Sequence, residues 1–323
     1  MSEQPPKSKF KVLEPVERLI PEGLICKKWQ GRIYPPFIDP KWVEWLMNSW
    51  DTDANDVVIC THQKVGTHLT KKFVVEILRK LIDYPADHPM STGDIGHSTV
   101  PWPEVMVSQH GVEDFEAFRS KTEGFPRVWY THCEDNDLPI RNIHPETRFI
   151  MVFRDPRGAA VSQYFFYKSH PLLQMPQDIT IDEFVKMFLD GNLYFGDYHQ
   201  HVLKWVQRCN GRIASNRLLM LRYEDLVERK YLVTKMLSEF LVPDKKLTPD
   251  QMGMIVSSTE FDTMKKSIIE NPGSFHFNPN TFFRSGTIND WETKLSKESI
   301  EAINAKSMYI WGDDRNVVIP VQQ

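Results

Sequence analysis

The sequence predicts an α/β protein with a central parallel sheet flanked by helices. Short apolar runs rich in β-branched residues alternate with longer segments of helical periodicity, which is the order of elements in a parallel sheet. The first run, at 56–62, is apolar at nearly every position, as a strand covered on both faces should be. Residues 1–25 are rich in proline and charge, and we expect them to be poorly ordered. No repeat or break in composition divides residues 26–323, which we expect to form a single domain.

The elements follow in order along the chain. A short amphipathic helix at 40–50 precedes the strand DVVICTH. Apolar residues then recur at helical spacing from Leu69 to Leu81, and the charged residues between them, including Lys71 and Lys72, are expected to form the outer face of that helix. Further strands are predicted at 127–132, 147–155 and 217–222, and further helices at 111–121, 156–169, 181–191 and 198–209.

Composition excludes several classes of protein. A formal net charge of −4 shows no basic excess, so a general nucleic-acid binder is not expected. The four cysteines are scattered, without the paired spacing of a zinc site or a disulfide framework. No stretch has the length and apolar character of a secretory signal or a membrane span. We therefore expect a cytoplasmic protein that binds neither nucleic acid nor membrane.

Ligands of open parallel sheets bind at the carboxyl ends of the strands. The residues to inspect are therefore those that follow each predicted strand: Lys64, His132, Arg154 and Tyr223.

The loop after the first strand has the layout of an anion site. A glycine, Gly66, precedes a helix whose free N–H groups and positive dipole end attract negative charge, and Lys64 and Thr67 add an ammonium and a hydroxyl. The lysine precedes the glycine, so this is not the GxxxxGK[ST] loop of nucleotide triphosphatases. An ordinary strand-to-helix turn stays the alternative.

Three other segments carry candidate residues. Arg154 and Ser162 in FRDPRGAAVS are placed to face one anion, and Arg284 with Gly286 in NTFFRSGTINDW is placed to form an anion nest. His132 in WYTHCEDND is a candidate general base. Each has a plainer alternative: a surface arginine with a helix-interior serine, a basic loop tip and a structural histidine. Together they fit a ligand with two separate phosphates.

These segments resemble the cytosolic sulfotransferase family, in family order and over residues 40–312. THQKVGT resembles the family's TYPKSGT loop, and FFRSGTINDW resembles its RKGxxxDW loop. FRDPRGAAVS is similar to the family's strand-helix segment that binds a 3′-phosphate. YTH is similar to KTH, and VPWPE to PxxE. The resemblance implies a P-loop-like, sulfotransferase-type single domain that transfers a sulfonate from 3′-phosphoadenosine 5′-phosphosulfate (PAPS, product PAP) to a hydroxyl or nitrogen of a small-molecule acceptor, without a metal.

The resemblance also implies roles for individual positions. The catalytic residues would be Lys64, His132 and Ser162. The donor-binding residues would be Lys64, Val65, Gly66, Thr67, His68, Arg154, Ser162, Tyr223, Thr259, Phe261, Phe283, Arg284, Ser285 and Gly286. The acceptor-binding residues would be Trp102, Pro103, Tyr130, His132 and Phe166.

Several positions depart from the family pattern. Gln63 and Val65 replace the loop proline and serine, Leu69 replaces a tryptophan that stacks on adenine, and Tyr130 replaces a lysine. The segment at 291–300 keeps the KxxxTVxxxE dimerisation pattern poorly, so a homodimer stays open.

The acceptor and two rival functions are the remaining questions. Glu134, Asp135 and Asp137 follow the candidate base, and beside an acceptor pocket they would favour a polar or cationic acceptor; the alternative is a solvated acidic turn. The departures leave a non-catalytic nucleotide-binding scaffold open. A phosphoryl-transfer enzyme also stays open, because nucleotide kinases share this arrangement of a parallel sheet and a loop after the first strand. The sequence does not, however, contain the phosphate-binding loop of those enzymes.

Overall fold

The computed structural model describes residues 13–18, 25–207, 211–270 and 282–312. Its centre is a parallel sheet of four strands in the order β5-β4-β6-β7. A separate antiparallel sheet of three strands has the order β1-β2-β3. The strands are β1 (Leu13–Arg18), β2 (Ile25–Trp29), β3 (Arg32–Tyr34), β4 (Asp56–Thr61), β5 (Arg127–Thr131), β6 (Arg148–Phe153) and β7 (Leu218–Arg222).

The helices lie on both faces of the parallel sheet. They are α1 (Pro40–Ser49), α2 (Thr67–Leu81), α3 (Pro103–His110), α4 (Val112–Lys121), α5 (Pro156–Ser169), α6 (Ile181–Asp190), α7 (Tyr198–Gln207), α8 (Tyr223–Glu228), α9 (Lys230–Leu241), α10 (Pro249–Ser258), α11 (Phe261–Glu270) and α12 (Lys297–Trp311). Among the described residues, no helix is both long enough and apolar enough to cross a membrane.

The alternation of side chains along β4 divides the core into two layers. Val58 and Cys60 pack in the layer that contains Tyr167 of α5, whereas Val57 and Ile59 pack in the layer that contains Phe73 of α2. Every residue of β4 is buried, as the apolar run predicted. Since β4 pairs in parallel with β5 and β6, the loops that follow these strands leave the sheet at one edge.

The predicted α/β class and the four parallel strands are confirmed. The antiparallel sheet was not predicted, and β1 lies inside the segment that the sequence indicated as poorly ordered. The strands of this sheet are short and rich in charged residues, so the sequence shows no apolar pattern that predicts them. They are stabilised by backbone hydrogen bonds to one another.

Candidate active site

A cavity of about 530 Å³ opens at the carboxyl edge of the parallel sheet. The four residues predicted from the strand ends, Lys64, His132, Arg154 and Tyr223, all line it. The other predicted site residues that line it are Gly66, Thr67, His68, Trp102, Tyr130, Ser162, Phe166, Thr259, Phe261, Phe283, Arg284, Ser285 and Gly286. Two predicted residues do not: the Val65 side chain is fully buried in the core, and Pro103 is buried at the first turn of α3.

The loop between β4 and α2 requires its glycine. Gly66 has φ +113°, and a Cβ there would lie 2.7 Å from Cδ2 of Tyr223. Lys64 also has a positive φ, of +63°, so the chain turns tightly before α2 begins at Thr67. The Thr67 hydroxyl hydrogen-bonds that of Thr61 at 2.8 Å, which ties the first turn of α2 to the end of β4. The free N–H groups at the start of α2 therefore lie beside the cavity.

The departure at Gln63 has a structural explanation. Its Oε1 accepts a hydrogen bond of 2.5 Å from the Tyr167 hydroxyl, and its carbonyl accepts one of 3.1 Å from Gln163 Nε2. Both donors lie on α5. The loop is thus held from behind by side chains, where the family pattern has a proline.

Three cations converge on one end of the cavity, which we call the cationic end (Lys64, Arg154 and Arg284). The Arg154 guanidinium lies 4.2 Å from the centre of the Tyr223 ring and donates to the Lys64 carbonyl at 3.3 Å. Burial and, to a smaller extent, the charges of Arg154 and Arg284 together lower the pKa of Lys64 to about 7. Anions bound here would relieve this mutual repulsion.

The cationic end contains further hydrogen-bond donors beside the Lys64 ammonium. Arg154 is 7% exposed, and its Nε has no hydrogen-bond partner among the described residues. Ser162 of α5 lines the same cavity, as its spacing from Arg154 predicted. Gly286 has φ +67°, and a Cβ there would lie 2.7 Å from the Phe261 ring, so an aromatic ring packs directly on this backbone. Arg284 pairs with Asp290 and lies 4.4 Å from the centre of the Phe165 ring.

A second group of lining residues, which we call the aromatic end, contains Lys71, Trp102, Tyr130 and His132. His132 is 7% exposed, and its Nδ1 lies 2.7 Å from the carbonyl of Thr61. Since a carbonyl only accepts, Nδ1 carries the proton, and the lone pair of the neutral ring is on Nε2. The Trp102 ring packs at 4.7 Å from the imidazole. Burial lowers the His132 pKa to about 3, so the ring is neutral at physiological pH.

Glu104, in the VPWPE segment, supports the strand end that carries His132. It is fully buried, accepts a hydrogen bond from the Thr131 hydroxyl and lies 3.3 Å from the Cys133 sulfur. Burial raises its pKa. The Thr131 hydroxyl in turn accepts from the Cys133 backbone N–H at 3.0 Å, so the residues on either side of His132 are fixed.

The acidic segment does not face this cavity. Arg32 pairs with Glu134 at 3.0 Å and with Asp137, and Lys204 also pairs with Glu134. Glu134 and Asp137 line a separate cavity of about 270 Å³. The expectation that these carboxylates face the acceptor pocket is therefore wrong, because none of the three lines it, and Arg32 of β3 and Lys204 of α7 hold Glu134 and Asp137 at the second cavity. They are buried, so the solvated turn is also wrong.

Lys71 does not lie on the outer face of α2, where the sequence pattern predicts it. It is 1% exposed and lines the aromatic end. Lys71 follows Thr67 by four residues, which puts both side chains on one face of the helix, and this spacing could have revealed it. Phe282 was missed as well, and its ring centre lies 3.6 Å from the Lys64 Nζ.

Comparisons with known proteins agree with this fold. The family model described as "Sulfotransferase domain" matches residues 54–308. A 3-alpha-hydroxysteroid sulfotransferase of Cavia porcellus is 26% identical over 77% of this chain and 81% of its own length. Sulfotransferase 6B1 of Danio rerio is 26% identical over 83% of this chain and 82% of its own.

Solved structures show the same fold. The structure of a mouse sulfotransferase complexed with PAP has a TM-score of 0.68 at 20% identity, covering 91% of this chain and 96% of that one. That of retinol dehydratase in complex with androsterone and inactive cofactor PAP has a TM-score of 0.67 at 18% identity, covering 91% of each chain.

Proposed function

From the finding that the chain belongs to the sulfotransferase family and is a sulfotransferase, we propose its reaction. It transfers the sulfonate of PAPS to a hydroxyl or nitrogen of a small-molecule acceptor. One observation carries the proposal: three cations, the N-terminus of α2 and a neutral histidine all line one cavity. PAPS, when bound, supplies a sulfonate whose bond to the bridging oxygen breaks as the acceptor attacks sulfur.

The cationic end would hold the donor. Lys64 and the N–H groups of Gly66, Thr67 and His68 would bind the 5′-phosphosulfate, where the negative charge grows during the reaction. Arg154, Ser162, Arg284 and Gly286 would bind the 3′-phosphate. The unpartnered Nε of the buried Arg154 supports this fit, since a buried donor without an acceptor is costly.

The adenine would lie among the side chains of Tyr223, Thr259 and Phe261, which line the cavity together. Leu69 also lines it, so an aliphatic group would cover one face of the base. Phe283 packs edge-on against Phe261 at 5.7 Å and would support this slot from the side of Ser285.

His132 would take the proton of the acceptor. Its Nδ1–H is engaged by Thr61, so Nε2 is the atom that accepts the proton as the acceptor oxygen or nitrogen bonds to sulfur. The positive charges of Lys64 and Lys71 contribute to its low pKa, so bound anions would raise the pKa and strengthen the base. Trp102, Tyr130 and Phe166 would pack on the acceptor.

The test is a PAPS-dependent screen of phenols, alcohols and amines, read by mass spectrometry for an added sulfonate. We expect turnover that persists in excess EDTA, which would set the enzyme apart from a magnesium-dependent phosphoryl-transfer enzyme. Absence of PAP binding in calorimetry would contradict the donor assignment. The cytoplasmic location, the boundaries at residues 25 and 26 and the question of a homodimer stay predictions.

A further inference from the structure

The buried lysine of the aromatic end has no assigned role in sulfonate transfer. Lys71 is 1% exposed, and its Nζ lies 4.6 Å from the centre of the Tyr130 ring. Among the described residues, no carboxylate pairs with it and no acceptor hydrogen-bonds it. An ammonium taken out of water normally requires a negative partner, and a single aromatic face compensates only part of that cost.

From this geometry we propose that the acceptor carries an anionic group, a carboxylate in the first instance, which pairs with Lys71 while its hydroxyl or nitrogen faces His132. The proposal rests on the proposed sulfonate transfer and names the acceptor class for that reaction. It reverses the expectation of a cationic acceptor, because the acidic side chains near His132 are neutralised in another cavity, whereas the unpaired charge inside this one is positive.

Lys71 is set apart from the cations of the donor. The Lys64 Nζ lies between the Phe166 and Phe282 rings, and its pKa responds to Arg154 and Arg284. The Lys71 Nζ lies over Tyr130, and the charge that acts on its pKa is that of Asp94. Asp94 is exposed to solvent and does not form an ion pair with Lys71 among the described residues. The Lys71 ammonium is therefore available to a ligand.

The surroundings of Lys71 belong to the acceptor side. The Tyr130 ring packs at 5.3 Å from Trp102 and at 5.8 Å from His132, and the His97 ring lies 5.9 Å from Tyr130. A flat acceptor packed on Trp102 would therefore have His132 at one end and Lys71 near the other. Transfer itself is unchanged: the acceptor oxygen bonds to sulfur, the bridging S–O bond breaks, and the proton goes to His132.

The experiment compares three 4-hydroxyphenyl acids (the benzoate, acetate and propanoate) with their methyl esters, which present the same hydroxyl without the charge. The measured quantity is the ratio of kcat/KM for each acid to that for its ester, at saturating PAPS. We expect a ratio above one for the best acid, and a fall of about tenfold or more in Lys71→Met, since a desolvated charge pair is lost. Lys71→Glu should shift the preference toward tyramine.

Lys72→Met is the matched control. Lys72 is the next residue on α2, does not line the cavity and pairs with Glu76, so we expect the ratio to stay at its wild-type value. Esters that outperform acids in the wild type would overturn the proposal. An equal loss for acid and ester in Lys71→Met would overturn it too, and would assign Lys71 to the donor or to folding.

Binding without turnover separates this proposal from the proposed function. Calorimetry of the PAP-loaded enzyme should show tighter binding of acid than of ester, and Lys71→Met should remove the difference. If PAP binds but no compound is sulfonated, the result contradicts the proposed transfer reaction alone. If the acids bind no better than the esters, the result contradicts the proposal of an anionic acceptor, whether or not transfer occurs.

Discussion

The cationic end of the cavity is built from backbone turns and charges that follow strands, whereas the aromatic end is built from side chains delivered by several loops and helices. Gly66 and Gly286 have positive φ and lie against aromatic rings, so little can change there. The aromatic end has a tyrosine where the family pattern has a lysine, and a lysine on α2 instead. The two ends are therefore expected to respond separately to mutation.

The largest expected effect is at the aromatic end. His132→Ala removes the proton acceptor and should lower kcat by about 10²- to 10⁴-fold. Donor binding belongs to the other end, so the Kd for PAP, measured by calorimetry, should change by less than about twofold. His144→Ala, at an exposed loop position, is the control and should leave both quantities unchanged. Equal losses in kcat and PAP affinity would break the separation of the two ends.

The reciprocal change is Arg154→Met. Removing one partner of a buried charge pair costs about 2–5 kcal/mol, which is about 30-fold or more in the Kd for PAP. The KM for the acceptor, measured at saturating PAPS, should change little by comparison. Arg141→Met is the control, because Arg141 is exposed, pairs with Asp51 and does not line the cavity. Unchanged PAP affinity in Arg154→Met would remove Arg154 from the donor site.

Gly66→Ala tests the backbone of the cationic end. The substitution forces an L-residue to φ +113° and places its Cβ 2.7 Å from the Tyr223 ring, so the loop and the ring must move. We expect a loss of about 1–3 kcal/mol in the free energy of unfolding, together with weaker PAP binding.

Gly124→Ala separates the cost of a positive φ from the cost of the contact that Gly66→Ala would make with Tyr223. Gly124 has φ +79°, and nothing lies within 4 Å of a Cβ built there. Urea unfolding should therefore show only the cost of the backbone conformation, and PAP binding should not change. Equal effects of the two substitutions would mean that the contact with Tyr223 is unimportant.

The sequence predicted the cationic end better than the aromatic end for a physical reason. Parallel strands end at the same edge of a sheet, so residues that directly follow such strands are expected to lie close together. This rule predicts the proximity of Lys64, Arg154 and Tyr223 from their positions in the sequence. The same rule brought His132 to the cavity.

Orientation of charged side chains could not be predicted in this way. Lys71 looked like an outer-face residue because charged residues usually are, and Glu134 looked free because its partner Arg32 is about 100 positions away. The spacing of Lys71 from Thr67 was a local signal for its orientation, whereas the pairing of Glu134 depends on a tertiary contact that no local pattern encodes. The antiparallel sheet that supplies Arg32 was itself missed.

The smallest effect expected is a pH dependence of PAP binding. Lys64 has a pKa of about 7 in the free protein, lowered from its ordinary value by burial and by Arg154 and Arg284. The charged form, which attracts phosphate, therefore predominates below pH 7 and is lost above it. For one titrating group, the affinity for PAP should fall about fivefold between pH 7 and pH 8, with uptake of a proton on binding. Calorimetry in buffers of different ionisation enthalpy measures both quantities.

Two variants assign this slope to one end of the cavity. Lys64→Met should bind PAP more weakly at pH 7 and show a flat profile. Lys71 also has a pKa lowered to about 7, but it lies over Tyr130 at the aromatic end, so Lys71→Met should keep the wild-type slope for PAP. If the slope instead disappears in Lys71→Met, the two lysines act on the same ligand, and the cavity is one electrostatic site rather than two.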